Sequence, residues 1–304
     1  MARTLLPGQS SRILLVDVST GEAEVVFESD TVLVEAPNWS VDGRELVVNA
    51  DGGLWRLPVT GGSLTPIAMP GVPEINNDHV LAPEGDVAYV SGKDGHVYAV
   101  PLGRGEVRRI TRDHPEGRGY KNYLHGVSPD GRVLAVIVGS RPTATSTPDE
   151  WRTDVALVDV TTGETTRVTS DDRFDDGAEF SPDGRWIWFN SERFTTAPGH
   201  AQLARVRPDG SGMERVVVSE TVDWFPHVAP DGSALVYLAY PAGTQGHPEN
   251  CSVVIRVLPL VDGDQGASPP RDVLPMFGGQ GTLNVAGWAP DSRRFACVDY
   301  PVSG

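Results

Sequence analysis

Phe180-Ser181-Pro182-Asp183-Gly184 connects two runs of residues that favour β-strands, and Arg185-Trp186-Ile187-Trp188-Phe189 begins the second run. Proline presets the backbone for the first corner of a type I turn, and glycine adopts the positive φ that lets the next strand return antiparallel. The phrase therefore predicts a hairpin corner. Equivalent phrases occur at Trp39-Ser40-Val41-Asp42-Gly43, Leu81-Ala82-Pro83-Glu84-Gly85, Val127-Ser128-Pro129-Asp130-Gly131, Val228-Ala229-Pro230-Asp231-Gly232 and Trp288-Ala289-Pro290-Asp291-Ser292.

The spacing of these six corners predicts the fold class. The corners recur at intervals of roughly 40 to 60 residues, which is the period of β-propeller blades. The 34 glycines and 25 prolines among 304 residues suit many short strands, and no long stretch has a helical period. We therefore predict an all-β fold, a six-bladed β-propeller with four-stranded antiparallel blades, in one domain that spans residues 1–304.

The two ends of the chain are predicted to share one blade. Residues 12–18 and 23–28 form two strand-like runs before any corner phrase, and residues 283–289 and 294–299 form two more at the other end. Joining these halves closes the ring and removes exposed strand edges. The predicted blades are 34–67, 75–111, 120–169, 178–219 and 223–275, with 10–30 and 281–304 forming the closing blade.

Charge and composition exclude several classes of partner. A formal net charge of −16 repels phosphate, so we expect no nucleic acid and no membrane as a partner. Cys251 and Cys297 are the only cysteines, too few for a disulfide scaffold and without metal-motif spacing. The N-terminal residues contain no apolar targeting segment, so a soluble, cytoplasmic protein is expected. A G-x-S-x-G motif is absent, which disfavours a serine hydrolase.

Three long loops are predicted on one face of the propeller. In a four-stranded meander, the loops between strands two and three lie on the same face as the links between blades. This face carries the insertions 139–153, 191–201 and 240–250. Long loops clustered on a rigid scaffold commonly build a binding site, although surface loops also tolerate neutral insertions. We expect the functional site on this face.

Polar residues cluster just before the corners, where each innermost strand enters the central channel. His79 and His125 hold equivalent positions and His227 lies one position later, so with His247 four of the seven histidines are expected at one mouth. A single histidine at a strand start usually forms a structural hydrogen bond, but several at equivalent positions favour a functional site. The other polar and aromatic residues of this region are Asn77, Tyr123, Asp175, Asp176, Asp223 and Trp224.

This residue set is compatible with two kinds of chemistry. Neutral imidazoles suit divalent Mn, Fe, Ni or Zn, and neighbouring carboxylates would orient such ligands. Without a metal, an imidazole beside Asp176 or Asp223 suits general acid and base catalysis. Trp224 would stack on a sugar ring. Arg256 interrupts an apolar strand, where it would either hold an anionic group or pair with an aspartate.

With these motifs in view, the chain resembles the TolB-like six-bladed propellers built of WD40-like repeats, over essentially its whole length. Within that class it looks like a cytoplasmic bacterial subgroup without an assigned activity. The motifs that carry this resemblance are Asn76-Asn77-Asp78-His79, Phe174-Asp175-Asp176-Gly177, Asp223-Trp224-Phe225-Pro226-His227, Gly246-His247-Pro248 and Gly278-Gly279-Gln280-Gly281-Thr282.

The chain is also similar to the oligogalacturonate lyase class of propellers, which hold a manganese ion on histidine and glutamine ligands in the central channel. The ligand spacing of those lyases is not reproduced in this sequence. The resemblance implies a divalent metal held by a comparable set of residues, namely His79, His125, His227 and Gln280.

We interpret the channel mouth as the active site of an enzyme that binds a small polyhydroxylated or uronate-like molecule. The expected reaction is metal-assisted proton abstraction, as in a lyase or an epimerase. The predicted catalytic residues are His125, His227, Asp176 and Asp223, and the predicted substrate-binding residues are Asn77, Tyr123, Asp175, Trp224, His247, Arg256 and Gln280. One alternative is a non-catalytic TolB-like propeller that binds a protein or a ligand on the same face. A further alternative is metal-independent hydrolysis by a His–Asp pair.

Overall fold

A computed structural model describes residues 3–114, 120–141, 151–266 and 268–303. Its strands fall into six antiparallel sheets. The first two strands, β1 (Ser11–Asp17) and β2 (Ala23–Ser29), belong to the closing blade. Blade one contains β3 (Val34–Trp39), β4 (Glu45–Ala50), β5 (Gly53–Pro58) and β6 (Thr65–Pro66). Blade two contains β7 (Ile75–Leu81), β8 (Val87–Gly92), β9 (Val97–Pro101) and β10 (Arg108–Arg109). Blade three contains β11 (Lys121–Val127), β12 (Val133–Ser140), β13 (Arg152–Asp159) and β14 (Thr165–Arg167).

The remaining strands complete the ring. Blade four contains β15 (Asp175–Phe180), β16 (Ile187–Ser191), β17 (Gln202–Val206) and β18 (Glu214–Arg215), and blade five contains β19 (Val222–Val228), β20 (Ala234–Tyr240), β21 (Glu249–Val261), β22 (Asp264–Gln265) and β23 (Arg271–Gly279). The last strand, β24 (Arg294–Asp299), pairs antiparallel with β1. The prediction of an all-β six-bladed propeller closed by N-terminal strands is therefore confirmed.

The closing blade differs from the prediction in one segment. Residues 283–289 were expected to form a regular strand, but they meet β24 only through an isolated bridge between Trp288 and Phe295 and through single hydrogen bonds. The chain enters this segment from a turn in which Gly279 and Gly281 both have positive φ. The turn directs the segment into the channel mouth, so no continuous ladder with β24 forms.

The corner phrases adopt the predicted geometry. The glycines at five corners have φ between 70° and 76°, and Ser292 takes the same conformation at the sixth, with φ of 60°. Ser181 stabilises its corner because its Oγ donates to Asp183 Oδ1 at 2.6 Å and accepts from the Trp186 N–H at 3.0 Å. Each corner thus reverses the chain at the end of an innermost strand, as the sequence indicates.

Hydrophobic side chains fill the gap between each pair of neighbouring blades. Six buried clusters are present in the described part of the chain, and each joins residues of two adjacent blades. One cluster joins Ile13 of β1 to Leu46 of β4, so the N-terminal strand is packed into the ring like any other. No helix within the described ranges has the length and apolar character needed to cross a membrane.

Candidate functional site

A cavity of about 760 Å³ lies where the innermost strands enter the central channel. Residues from all three predicted insertions contribute to its wall, although positions 142–150 of the first insertion lie outside the described residues. The cavity combines polar and aromatic side chains. Its lining residues include Asn76, Asn77, Asp78, Tyr123, His125, Trp151, Phe174, Asp176, Glu192, Trp224, Phe225, Gln245, His247, Gln280 and Asn284.

One sequence position in each blade supplies the ring of side chains at this mouth. Counting back four residues from the apolar residue that starts each corner phrase reaches Glu35, Asn77, Tyr123, Asp176, Trp224 and Asn284. Five of these line the main cavity, and Glu35 lines a second cavity of about 460 Å³ beside it. The propeller repeat therefore brings together six side chains that are distant in the sequence.

A bulge in the innermost strands decides which neighbouring side chains join this ring. The pairing register shifts within β3, β7, β11, β15 and β19, in each case just before the corner. Ala36, Gly177 and Phe225 take positive φ at the equivalent point of their strands. A bulge rotates the residues on either side of it relative to each other. Residues before the bulge consequently face the cavity, and most residues after it face the neighbouring blade.

Asp176 lies between two histidines at the centre of the cavity. Its Oδ1 is 3.0 Å from Nε2 of His125, and its Oδ2 is 3.5 Å from Nε2 of His247. The His125 side chain is 3% exposed, whereas that of His247 is 32% exposed and is the more accessible imidazole. His247 Nδ1 donates to Gln280 Oε1 at 2.5 Å. The result is a continuous chain of polar contacts from His125 to Gln280.

The charges of His125, Asp176 and His247 depend strongly on one another. Burial opposes protonation of His125, but Asp78 and Asp176 outweigh burial and raise its pKa to about 9. Burial acts to raise the pKa of Asp176, yet its bonds to His125 and His247 hold that pKa well below the usual range. Burial also opposes protonation of His247, and Asp176 again raises the pKa. At neutral pH an ionised Asp176 thus faces the imidazolium of His125.

Asp78 is a second carboxyl group of the cavity. It is 4% exposed, and its Oδ2 accepts a hydrogen bond from the Asn76 side chain. Burial raises the pKa of Asp78 to about 6, although the nearby His125 opposes this rise. The two carboxyls, Asp78 and Asp176, therefore differ in proton affinity, which is the arrangement that separates acid and base roles in many active sites.

Aromatic rings form the part of the wall beside the two histidines. Trp224 lies 4.4 Å from the His247 ring, centroid to centroid, and Phe225 lies 6.0 Å from the His125 ring. Burial raises the pKa of Tyr123 to about 12, so this phenol remains protonated and able to donate. Flat apolar rings beside hydrogen-bonding groups suit a ligand with one apolar face and several polar substituents.

The predicted site residues fall into two groups. The cavity is lined by seven of them, namely Asn77, Tyr123, His125, Asp176, Trp224, His247 and Gln280. Asp175 also reaches its wall, but its carboxylate accepts from Thr169 at 2.7 Å and from Arg193 at 2.6 Å. Both donors bond to Oδ2, so Asp175 links Thr169 at the end of blade three to Arg193 of blade four, and this oxygen is occupied by contacts within the protein.

The other predicted residues do not line the cavity. His227 lies below the cavity, where Nδ1 is 2.5 Å from Glu179 Oε2 and Nε2 is 2.9 Å from the Leu283 carbonyl oxygen. His79 is fully buried beside the Val47 carbonyl oxygen, and burial lowers its pKa to about 4. Neither histidine lines the cavity.

Asp223 and Arg256 lie outside the cavity too. Asp223 is completely buried and accepts from Ser219 at 2.6 Å and from Thr221 at 2.8 Å. Of the two possibilities for Arg256, pairing with an aspartate is the one observed, because its Nε lies 2.7 Å from Asp272 Oδ1. Both residues stabilise blade five.

The predicted metal ligands are not brought together. His125 and Gln280 line the cavity, but both ring nitrogens of His227 bond within the protein and His79 is enclosed beside Val47. In the described part of the chain, no group of three or more His, Cys, Asp or Glu side chains has an arrangement that could hold a metal ion. The four residues implied by the lyase resemblance thus do not fit a metal, because the bulges turn two of them away from the mouth.

Several cavity residues were not assigned a role from the sequence. Asp78 and Phe225 belong to the quoted motifs, and Asn284 is the closing-blade member of the six-residue ring. Alignment of the six corner phrases would have identified Asn284, because every blade has a polar or aromatic residue at that position. Trp151, Glu192 and Gln245 come from loops, for which no repeat provides an alignment.

The fold and the cavity define a TolB-like six-bladed propeller, and the chain belongs to that family. It is 36% identical over 301 residues, 97% of this chain and 94% of its relative, to the uncharacterised protein Atu1656 of Agrobacterium fabrum. A solved structure from Agrobacterium tumefaciens that bears the name TolB is 34% identical, covers 96% of this chain and 99% of that chain, and has a TM-score of 0.83. No protein-family model matches the sequence.

More distant structures share the fold alone. An oligogalacturonate lyase in complex with manganese has a TM-score of 0.57 and 17% identity, covering 88% of this chain and 74% of that one. TolB from Acinetobacter baumannii has a TM-score of 0.59 and 16% identity, covering 90% of this chain and 65% of that one. The propeller is therefore common to an enzyme and to TolB, and function must be argued from the site.

Proposed function

We propose that the cavity is the active site of an enzyme that abstracts a proton from a small polyhydroxylated or uronate-like molecule, as a lyase or an epimerase does. The observation that carries this proposal is the position of Asp176 between His125 and His247 in an aromatic-lined cavity. Two imidazoles held by one carboxylate favour hydrogen-bond donation to a substrate carboxylate. The proposed reaction does not include a metal ion, because the structure does not bring the four predicted metal ligands together.

The proposed reaction uses only groups of this chain. In the proposed complex the substrate carboxylate accepts from Nε2 of His247, whose 3.5 Å contact with Asp176 is long, while Nδ1 stays bonded to Gln280. His125 stays paired with Asp176. Asp78 takes the proton from the carbon next to that carboxylate, and the electron pair left on carbon moves onto the carboxylate oxygens facing His247. The pair then returns to carbon, which takes up a proton again in exchange or epimerisation, or forms a double bond as the substituent on the next carbon leaves with its bonding electrons in a lyase reaction. Such fixed donors stabilise the developing negative charge. Tyr123 and Trp224 enclose the sugar ring.

Hydrogen exchange at carbon tests the proposal without knowledge of the final product. The protein is incubated in D₂O with galacturonate, glucuronate and their dimers, and loss of the proton next to the carboxylate is followed by NMR. We expect exchange with the parent protein and loss of exchange in His247→Gln and Asp78→Asn. His96→Gln is the matched control, because His96 lies outside the cavity and bonds to Thr111. Absence of exchange with every compound would overturn the proposal for this substrate class.

A second candidate is a TolB-like propeller that binds a protein without turnover. Phe174 favours it, because this ring is 41% exposed at the wall of the cavity. Exposed aromatic residues are enriched at protein interfaces. In this case an immobilised parent protein would retain a peptide or protein that Phe174→Ser does not retain, and the small acids above would neither bind nor exchange.

A further inference from the structure

Arg3 is buried although it lies close to the N-terminus. Its side chain is 9% exposed, and it lines the second cavity at the channel mouth together with Glu35, Glu249 and Gln280. Residues near chain ends are usually exposed unless specific contacts hold them. The N-terminal segment is therefore part of the mouth of the propeller.

The guanidinium of Arg3 bonds to three separate segments. Nη1 lies 3.0 Å from Glu35 Oε1 on β3, and Nε lies 2.9 Å from Glu249 Oε2 at the start of β21. Nη1 also donates to the carbonyl oxygen of Gln280. The same side chain lies over the Tyr300 ring, 3.9 Å from its centroid. Only a planar group with several donors can contact such a set of acceptors at once.

Two of these segments support His247 directly. Glu249 is two residues after His247 in the chain, and the Gln280 N–H donates to the intervening Pro248 carbonyl oxygen at 3.1 Å. The Gln280 side chain then accepts from His247 Nδ1 at 2.5 Å. Asn284 donates to the same Gln280 oxygen at 3.2 Å. Arg3 thus fixes both the backbone that carries His247 and the amide that binds its ring.

The turn beside Gln280 is shaped around the guanidinium. Gly281 has φ of +88°, and a Cβ atom placed on it would lie 2.7 Å from Arg3 Nη1 and 2.5 Å from Glu35 Oε1, and would clash with the Tyr300 hydroxyl. A larger residue therefore has no space there. This close approach is a second indication, independent of the hydrogen bonds, that the mouth is built with Arg3 in place.

We propose that Arg3 is a positioning residue of the cavity, which through Gln280 and Glu249 holds His247 against Asp176. The significance of this role for catalysis depends on the proposed function, but the structural coupling does not. The charged groups that act on His247 are Asp176 and Asp78 from the blades. Arg3, Glu35 and Glu249 lie behind Gln280.

The test uses NMR to observe the Nδ1 proton of His247. The protein is labelled with ¹⁵N-histidine, and all spectra are recorded at one fixed pH. A hydrogen-bonded Nδ1 proton gives a downfield, slowly exchanging signal, which His247→Gln assigns by removing it. Arg3→Met keeps an unbranched apolar side chain and removes the guanidinium that lies over Tyr300. Arg12→Met is the matched control, because Arg12 also lies near the N-terminus and pairs with a carboxylate, Asp299, at 2.6 Å, but on β1 away from the cavity.

We expect Arg3→Met to lose the His247 signal while the rest of the spectrum stays that of the folded protein, and Arg12→Met to keep it. An unchanged His247 signal in folded Arg3→Met would overturn the proposal. If Arg3→Met does not fold, Glu249→Ala replaces it, since that side chain is 48% exposed and its loss removes one of the three bonds. The same loss is expected there, and an unchanged signal again contradicts the proposal. Because no substrate is present, failure of this test is separate from failure of the exchange experiment.

Discussion

Nε2 of His125 lies 3.0 Å from Oδ1 of Asp176, and the two side chains are 3% and 20% exposed. An imidazolium and a carboxylate at this distance in a largely dry site stabilise each other's charged forms. The pair is therefore expected to influence both the chemistry of the cavity and the pH dependence of folding.

Asp176→Asn is expected to lower the pKa of His125 from about 9 towards the ordinary histidine range of about 6.5, because burial is then opposed only by Asp78 and by a backbone hydrogen bond at Asn284. A histidine whose pKa is raised on folding stabilises the native state below its unfolded pKa, and that contribution disappears as pH rises through the folded value. The stability difference between parent and variant should shrink between about pH 6.5 and about pH 9. Denaturant unfolding across this pH range measures it, and a constant difference would contradict the pairing.

Glu179→Ala is expected to reduce the free energy of unfolding by about 2 to 6 kcal/mol, because it leaves two buried donors without an acceptor, at about 1 to 3 kcal/mol each. His227 Nδ1 and the Val228 N–H both lose their acceptor. Urea unfolding of parent and variant measures the loss. Glu192→Ala, which changes a cavity residue in a loop, is the control and should be nearly neutral. If the two substitutions lower the free energy of unfolding equally, the contact between His227 and Glu179 has no structural role.

Replacing His79 or His227 is expected to leave manganese content unchanged, although stability falls. Both side chains are enclosed by the blades and neither reaches the cavity. The parent and the His79→Ala and His227→Ala variants are incubated with excess Mn²⁺, desalted and examined by elemental analysis. If the parent holds stoichiometric manganese and either folded variant loses it, this prediction is wrong. The ligand set implied by the lyase resemblance would then be supported.

Ser181→Ala is expected to reduce the free energy of unfolding by about 1 to 3 kcal/mol, since it removes two intramolecular hydrogen bonds at about 0.5 to 1.5 kcal/mol each. The hydroxyl joins Asp183 to the Trp186 N–H within the corner. Ser63→Ala, at an exposed turn, is the control and should change the free energy of unfolding very little. An equally small effect of Ser181→Ala would mean that proline and glycine alone stabilise the corner.

The part of the candidate site that is built from equivalent positions of the repeat was predictable from the sequence. Asn77, Tyr123, Asp176 and Trp224 share one position relative to the corner phrase, so their convergence follows from the periodicity. His79 and His125 also share a position, yet only His125 enters the cavity. The register shift of β7 lies between Ile75 and His79, whereas that of β11 lies between Leu124 and Gly126. Equal spacing in sequence thus gives different orientations.

The sequence by itself determined the six corners, the all-β propeller and the closure of the ring, because proline, glycine and alternating apolar residues act locally and recur with the blade period. Only the tertiary structure decided which polar residues meet. The bulges of the innermost strands rotate His227 towards Glu179 and leave His125 beside Asp176. The position of Arg3 against Gln280 depends on contacts between opposite ends of the chain. Such contacts form only once the ring has closed, so no local pattern encodes them.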